Sequence, residues 1–95
     1  MRLEVSDQAL RDIKSIHHES LTRFGTVQAS KYMAGLFNLL HLIATRPEMA
    51  RVRRGFSKPT RAQRYGSHLV FYRVEQQTIW IVRILHGKQN WQDYL

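Results

Sequence analysis

Cysteine is absent from this 95-residue chain, proline occurs twice, and 7 Asp and Glu stand against 15 Lys and Arg. Without a thiol there is no disulfide framework, no cysteine nucleophile and no thiolate metal site, so stability must come from packing, and nothing points to an oxidising compartment. The five glycines are scattered singly, which excludes a phosphate-cradling glycine loop and leaves no basis for a nucleotide cofactor. Apolar runs are only a few residues long, and the opening Met1-Arg2-Leu3-Glu4-Val5 holds no signal stretch. A cytoplasmic protein with no membrane partner is therefore expected.

What is present is enough apolar material, 43% of residues, for one modest core, and so for a single domain over residues 1–95. The net charge of +8 is shared unequally. Residues 1–48 hold 6 basic and 5 acidic side chains, whereas residues 49–95 hold 9 and 2. Such a local excess favours an anionic partner, nucleic acid or acidic protein, without choosing between them.

Residues 1–5 alternate as a short strand. Ser6 and Asp7 then supply a cap and an early acid for a helix from about Asp7 to Phe24, with Leu10, Ile13, Ile16 or His17, Leu21 and Phe24 on one face. Gly25 ends it, and Thr26 caps a second helix whose stripe is Met33, Leu36, Phe37, Leu40, Ile43 and Ala44. Arg46-Pro47 stops that helix. Two helices separated only by Gly25 and Thr26 form an antiparallel hairpin. After a basic transitional segment, Glu48 to Pro59, strands are expected at Thr60–Tyr65, His68–Val74 and Thr78–Leu85. The last is apolar on both parities at Ile79, Trp80, Ile81 and Val82, which predicts a central strand covered on both faces. The helices cover one face, leaving the other to the C-terminal tail or a partner. The fold class is α+β, in two layers: N-terminal strand, helix hairpin, then a three-stranded antiparallel meander. The helical crossover also allows the first strand to pair in parallel with a later one.

The stretches Tyr65-Gly66-Ser67-His68-Leu69-Val70-Phe71-Tyr72-Arg73-Val74 and Ile81-Val82-Arg83-Ile84-Leu85-His86-Gly87-Lys88-Gln89-Asn90-Trp91 resemble the ParE branch of the RelE/ParE family. Ala9 to Ile16, Phe24-Gly25 and Arg46-Pro47 look like its earlier landmarks. The chain differs from the common family pattern at Ala50-Arg51, where Gly-Arg is usual, and at Asn90, where an Asp is usual. The family comprises toxins of type II toxin–antitoxin modules of bacteria and their plasmids. The resemblance implies a cognate antitoxin, ParD-like or other, whose C-terminal segment wraps the toxin and neutralises it. ParE-like members are associated with poisoning DNA gyrase, whereas RelE-like members cut messenger RNA on the ribosome.

Metal-independent RNA cleavage needs a group to activate the 2′-hydroxyl, cations for the phosphate and an acid for the leaving oxygen. His86 is the leading candidate, since it lies where some RelE-like relatives place a catalytic histidine. The alternative reading is a structural histidine hydrogen-bonded to backbone at a strand end. Lys88 and Tyr94 have the spacing of a RelE-like cation and tyrosine pair, although Tyr94 also suits an amphipathic tail. Arg64 supplies a further cation. Arg83 interrupts the most apolar strand and is read either as a cation lining a site beside His86 or as the partner of an acid such as Glu75 or Asp12. His68 falls where RelE-like nucleases usually have a phosphate-binding arginine, which weighs against the nuclease. Arg51, Arg53, Arg54, Lys58, Arg61 and Arg64 occupy fourteen residues without one acid. With Trp91 they form the expected partner-binding set, for an acidic antitoxin segment first and for nucleic acid second, Phe56, Tyr65 and Tyr72 then being available to stack bases. His17 and His18 point about 100° apart on a helix and cannot share a metal in the usual manner; His41 reads as a helix-surface or boundary residue. No cofactor and no metal are expected. The leading expectation is a gyrase-poisoning binder that is not an enzyme; the alternatives are an mRNA endonuclease and a non-toxic family member that only binds its partner. Either a toxin dimer or a toxin–antitoxin hetero-oligomer would cover exposed apolar strand surface.

Overall fold

The computed structural model describes residues 1–95. In chain order it contains β1 (Arg2–Val5), α1 (Asp7–Thr45), a 3₁₀ turn at Pro47–Met49, β2 (Val52–Arg53), β3 (Thr60–Tyr65), β4 (His68–Glu75), β5 (Thr78–His86) and a 3₁₀ turn at Trp91–Tyr94. The sheet order is β1-β5-β4-β3-β2, with β1 parallel to β5 and the other neighbours antiparallel. The meander is as the sequence predicts, and the first strand takes the parallel pairing that the helical crossover allows. Strand β2 is not foreseen; it lies inside the basic transitional segment and forms the far edge of the sheet.

The expected pair of separately capped helices is replaced by one helical element bent at a single residue. Ser6 caps its start, the hydroxyl accepting the Ala9 N–H at 3.0 Å. At Gly25 the backbone leaves helical geometry (φ 82, ψ 177), a conformation open to glycine and costly for a residue with a Cβ. The second arm starts directly after this kink, and the Thr26 hydroxyl makes no capping hydrogen bond to it. A straight helix of 39 residues would reach about 58 Å, but the molecule's longest dimension is 38 Å. The two arms therefore fold back, and both contribute to one core: Ala9 and Ile16 from the first, Met33, Leu36, Leu40 and Ile43 from the second. The buried face of the first arm is Ala9, Ile16 and Ser20. Leu10, Leu21 and Phe24, expected inside, are exposed, as is Phe37 of the second arm.

The helices cover the sheet face bearing Val70, Tyr72, Ile79, Ile81 and Ile84. Val82 is a bulge: Tyr72 faces Ile81 but Phe71 faces Arg83, so the ladder slips by one residue there. On the opposite face, Ala62, Leu69, Phe71 and Leu85 are covered by Phe56, Trp91 and Leu95. The C-terminal tail thus covers part of the second face, as anticipated, but Trp80 is left 40% exposed, so β5 is enclosed on both sides only toward its end.

Candidate functional site

Three features of the surface combine charge with shape. The first lies where the N-terminal arm of α1 takes over from β1. Beyond the Val5–Ile81 pair, the edge of β5 has no strand beside it, and side chains replace the missing ladder. The Ser6 hydroxyl donates to the Val82 carbonyl at 2.8 Å and the Ser6 N–H to the Ile81 carbonyl at 3.0 Å. Asp12 accepts the Ile84 N–H at 2.9 Å and hydrogen bonds from two of the three Arg83 guanidinium nitrogens, Nε at 2.8 Å and Nη2 at 2.9 Å. Both side chains are nearly buried, and this hydrogen bonding raises the Arg83 pKa above its ordinary value against the opposing effect of burial. Of the two readings of Arg83, the ion pair to Asp12 is the one adopted. Its guanidinium also lies over the Tyr94 ring, 5.4 Å from the centroid, which places Tyr94 against Arg83 as a packing residue.

The second feature is an open cavity of about 520 Å³ between the two arms of α1 and the β3–β4 and β5 ends, lined by Ile16, Glu19, Arg23, Phe24, Tyr32, Ser67, His68 and His86 among others. Tyr32 and Tyr65 are locked reciprocally. Each hydroxyl donates to the other's backbone carbonyl, Tyr32 to Tyr65 at 3.1 Å and Tyr65 to Tyr32 at 2.7 Å. Gly35 makes this approach possible, because a Cβ there would collide with the Tyr65 hydroxyl. With its one proton directed to the Tyr65 carbonyl, the Tyr32 oxygen is an acceptor toward His68 Nδ1, 2.7 Å away. Hydrogen-bond assignment thus puts the His68 proton on Nδ1 and leaves Nε2 with a lone pair. Burial, then the neighbouring His86, push the His68 pKa below its ordinary value, with Glu19 opposing. His86 has the complementary tautomer: Nδ1 accepts the Lys88 N–H at 3.1 Å, so Nε2 carries the proton. The two rings stand edge to face with centroids 5.6 Å apart. One neutral imidazole offers an acceptor and its neighbour a donor.

His86 is a strand-end histidine whose ring accepts a backbone N–H, and the same ring lines the cavity. Lys88 follows it, exposed and in no ion pair. Tyr32 was not legible as a site residue, since a tyrosine on a helix thirty-odd residues from either histidine carries no distinguishing spacing.

The third feature divides the basic set. Lys58 pairs with Glu75 at 3.8 Å, and Arg61 donates to the Ala50 carbonyl, so both have internal partners. Arg51, Arg53, Arg54 and Arg64 are exposed and make no ion pair, Arg64 giving only one long hydrogen bond, 3.4 Å, to the Gly66 carbonyl, and they line a second cavity of about 500 Å³ with Ala50, Val52, Ala62 and Gln63. Trp91 does not join them. Its ring packs on Phe56 and Phe71, at 5.5 and 5.7 Å between centroids, inside the tail cluster. The expected base-stacking aromatics are likewise occupied: Phe56 in that cluster, Tyr65 against Tyr32, and Tyr72 fully buried with its hydroxyl on the Pro47 carbonyl at 2.7 Å. No group of three histidine, cysteine or acidic side chains is placed to hold a metal ion, and no helix is long and apolar enough to cross a membrane.

Residues 3–91 match the family model described as the ParE toxin of the type II toxin–antitoxin system, parDE. The chain is similar to Toxin ParE1 of Caulobacter vibrioides, 33% identical over 91 residues that span 96% of this chain and 94% of the relative. Its fold is similar to a structure described as the chromosomal ParDE TA system from P. aeruginosa, with a TM-score of 0.77 at 18% identity over 90% of this chain and 95% of that one.

Proposed function

The chain belongs to the ParE toxin family of type II toxin–antitoxin systems, and from that premise we propose that it stops growth by binding DNA gyrase and that a cognate ParD-like antitoxin holds it inactive. The observation that carries the choice of a binder over a nuclease is the Asp12–Arg83 pair. An arginine serving phosphoryl chemistry must present its guanidinium to the substrate, whereas Arg83 gives two of its nitrogens to a nearly buried carboxylate. His68 also stands where nuclease relatives usually have an arginine. The antitoxin is an acidic segment that covers Arg51, Arg53, Arg54 and Arg64, with opposite charge speeding encounter. In the cytoplasm the neutralised toxin is held in a toxin–antitoxin hetero-oligomer. The test is induction in bacteria with and without the antitoxin, with DNA-damage signalling and transcript integrity read on the same cultures, followed by gyrase supercoiling and DNA cleavage with purified protein. Growth arrest with damage signalling, intact transcripts and inhibited supercoiling is the expected result. A toxic protein that leaves purified gyrase untouched refutes the reading.

One observation favours a second reading. The His68–His86 pair sets two imidazoles side by side at one cavity, the arrangement that acid–base cleavage of RNA uses when one ring is neutral and the other protonated. On that reading neutral His68 takes the 2′-hydroxyl proton, His86 as the imidazolium supplies one to the leaving oxygen, and Lys88 and Arg64 hold phosphate charge. His86→Ala then abolishes toxicity and transcript cutting while antitoxin affinity is kept, and retained toxicity rejects it.

A further inference from the structure

The four unpaired arginines are the largest concentration of uncompensated charge on the molecule, and their surroundings indicate what they hold. They lie exposed around one cavity whose remaining lining is Ala50, Val52, Ala62 and Gln63. No acid and no aromatic ring lines it. Arg64 extends it toward the β5 end: its guanidinium nitrogens are 3.4 and 3.6 Å from where a Cβ on Gly87 would sit, next to Lys88. The cations therefore form a strip from the β2 edge of the sheet to the loop after β5.

We propose that this strip grips the phosphate backbone of duplex DNA without reading its sequence. Choosing duplex DNA among polyanions rests on the gyrase reading, because that enzyme's substrate is duplex DNA. The cavity's own chemistry agrees. Single strands are bound by charge combined with rings on which bases stack, and Phe56, Tyr65 and Tyr72 all face inward. An acidic peptide carries at most one charge per about 3.3 Å of extended chain, whereas the duplex carries one per about 1.7 Å of axis. Guanidinium groups with nothing apolar around them larger than Val52 gain most from the denser array, through release of its condensed counterions. Covering the arginines with an antitoxin segment would then remove the toxin's hold on the DNA.

The experiment measures binding of the full chain, without gyrase, to a fluorescein-labelled duplex of random sequence over a range of salt concentrations. Single-stranded RNA of equal length and polyglutamate serve as rival probes. Four phosphate contacts give a slope of log affinity on log salt of about −3.6, and Arg53→Gln with Arg64→Gln reduces its magnitude by about 1.8. Arg51→Gln with Arg54→Gln is an independent pair expected to do the same. Substituting Arg11 and Lys14, on the first arm of α1, leaves the slope unchanged. The proposal is overturned if both arginine pairs bind DNA with the parental slope, or if RNA or polyglutamate binds more tightly than the duplex. Gyrase inhibition is scored separately, so loss of DNA binding with inhibition retained rejects this site alone.

Discussion

The Asp12 carboxylate completes the hydrogen bonding of two consecutive residues on another element, accepting from the Arg83 side chain and from the Ile84 backbone N–H. A helix residue thereby does for the end of β5 what a longer β1 would have done. The charge that interrupts an apolar strand is the device that fixes this helix to the sheet.

Asp12→Ala leaves a nearly buried guanidinium and a backbone N–H without partners, a loss of about 3 kcal/mol. Asp12→Asn, which keeps an acceptor for Ile84, is expected to lose less. Urea unfolding of the two variants side by side checks the order; equal losses would assign the stability to the charge pair alone.

Trp91→Ala exposes Phe71 and uncovers Leu69 and Leu85 on the face away from the helices. Because Trp91 is partly exposed, the expected cost is near the lower end for an aromatic truncation, about 3 kcal/mol. Thermal unfolding reads this directly. A variant of parental stability that has lost antitoxin affinity would return Trp91 to the partner-binding set.

Burial and His86 hold the His68 pKa below the value of about 6.5 that an unfolded histidine has. Between the two values the unfolded chain binds more protons than the folded one, so stability rises with pH through that window. On acidification from neutral pH, the contribution starts to be lost near pH 6.5 and is fully gone below the folded value. The unfolding midpoint in urea, followed from pH 7.5 downward, should fall more steeply for the parent protein than for His68→Gln.

The β4–β5 turn is a two-residue loop with both central residues, Gln76 and Gln77, at positive φ, 49° and 63°. This is type I′ geometry, which favours Asn-Gly. Gln76→Asn with Gln77→Gly should stabilise by about 1 kcal/mol, seen as a rise of roughly 4–8 °C in Tm. An unchanged Tm would mean that neighbouring contacts already offset the strain.

The strands were legible because alternation and turn chemistry are local. Thr60–Tyr65 begins and ends as the sequence predicts, and His68 and Thr78 open β4 and β5 as expected. What was not legible depends on register. A regular ladder from the Glu75–Thr78 closure puts His68 opposite Leu85; the bulge at Val82 moves it opposite His86 and so creates the histidine pair. No local pattern announces that bulge. The first arm of α1 shows a similar gap: Leu10 and Leu21 satisfy helical periodicity, yet the arm is rotated to bury Ala9 and Ser20, small residues that let it approach the sheet. The basic run was visible, but which cations have internal partners depended on Glu75 and the Ala50 carbonyl.

Strand β1 lies beside β5, Val5 paired with Ile81, so the first strand synthesised waits for almost the last. At ribosomal elongation rates the intervening stretch takes on the order of 4 to 15 s to appear. Throughout that interval the edge of β1 and the apolar side of α1 have no sheet to rest on, and no partial chain contains the finished fold. A frameshift or stop codon anywhere before residue 81 therefore yields a protein unable to close its sheet, and, on the proposed function, selection for escape from growth arrest should recover such truncations across nearly the whole reading frame.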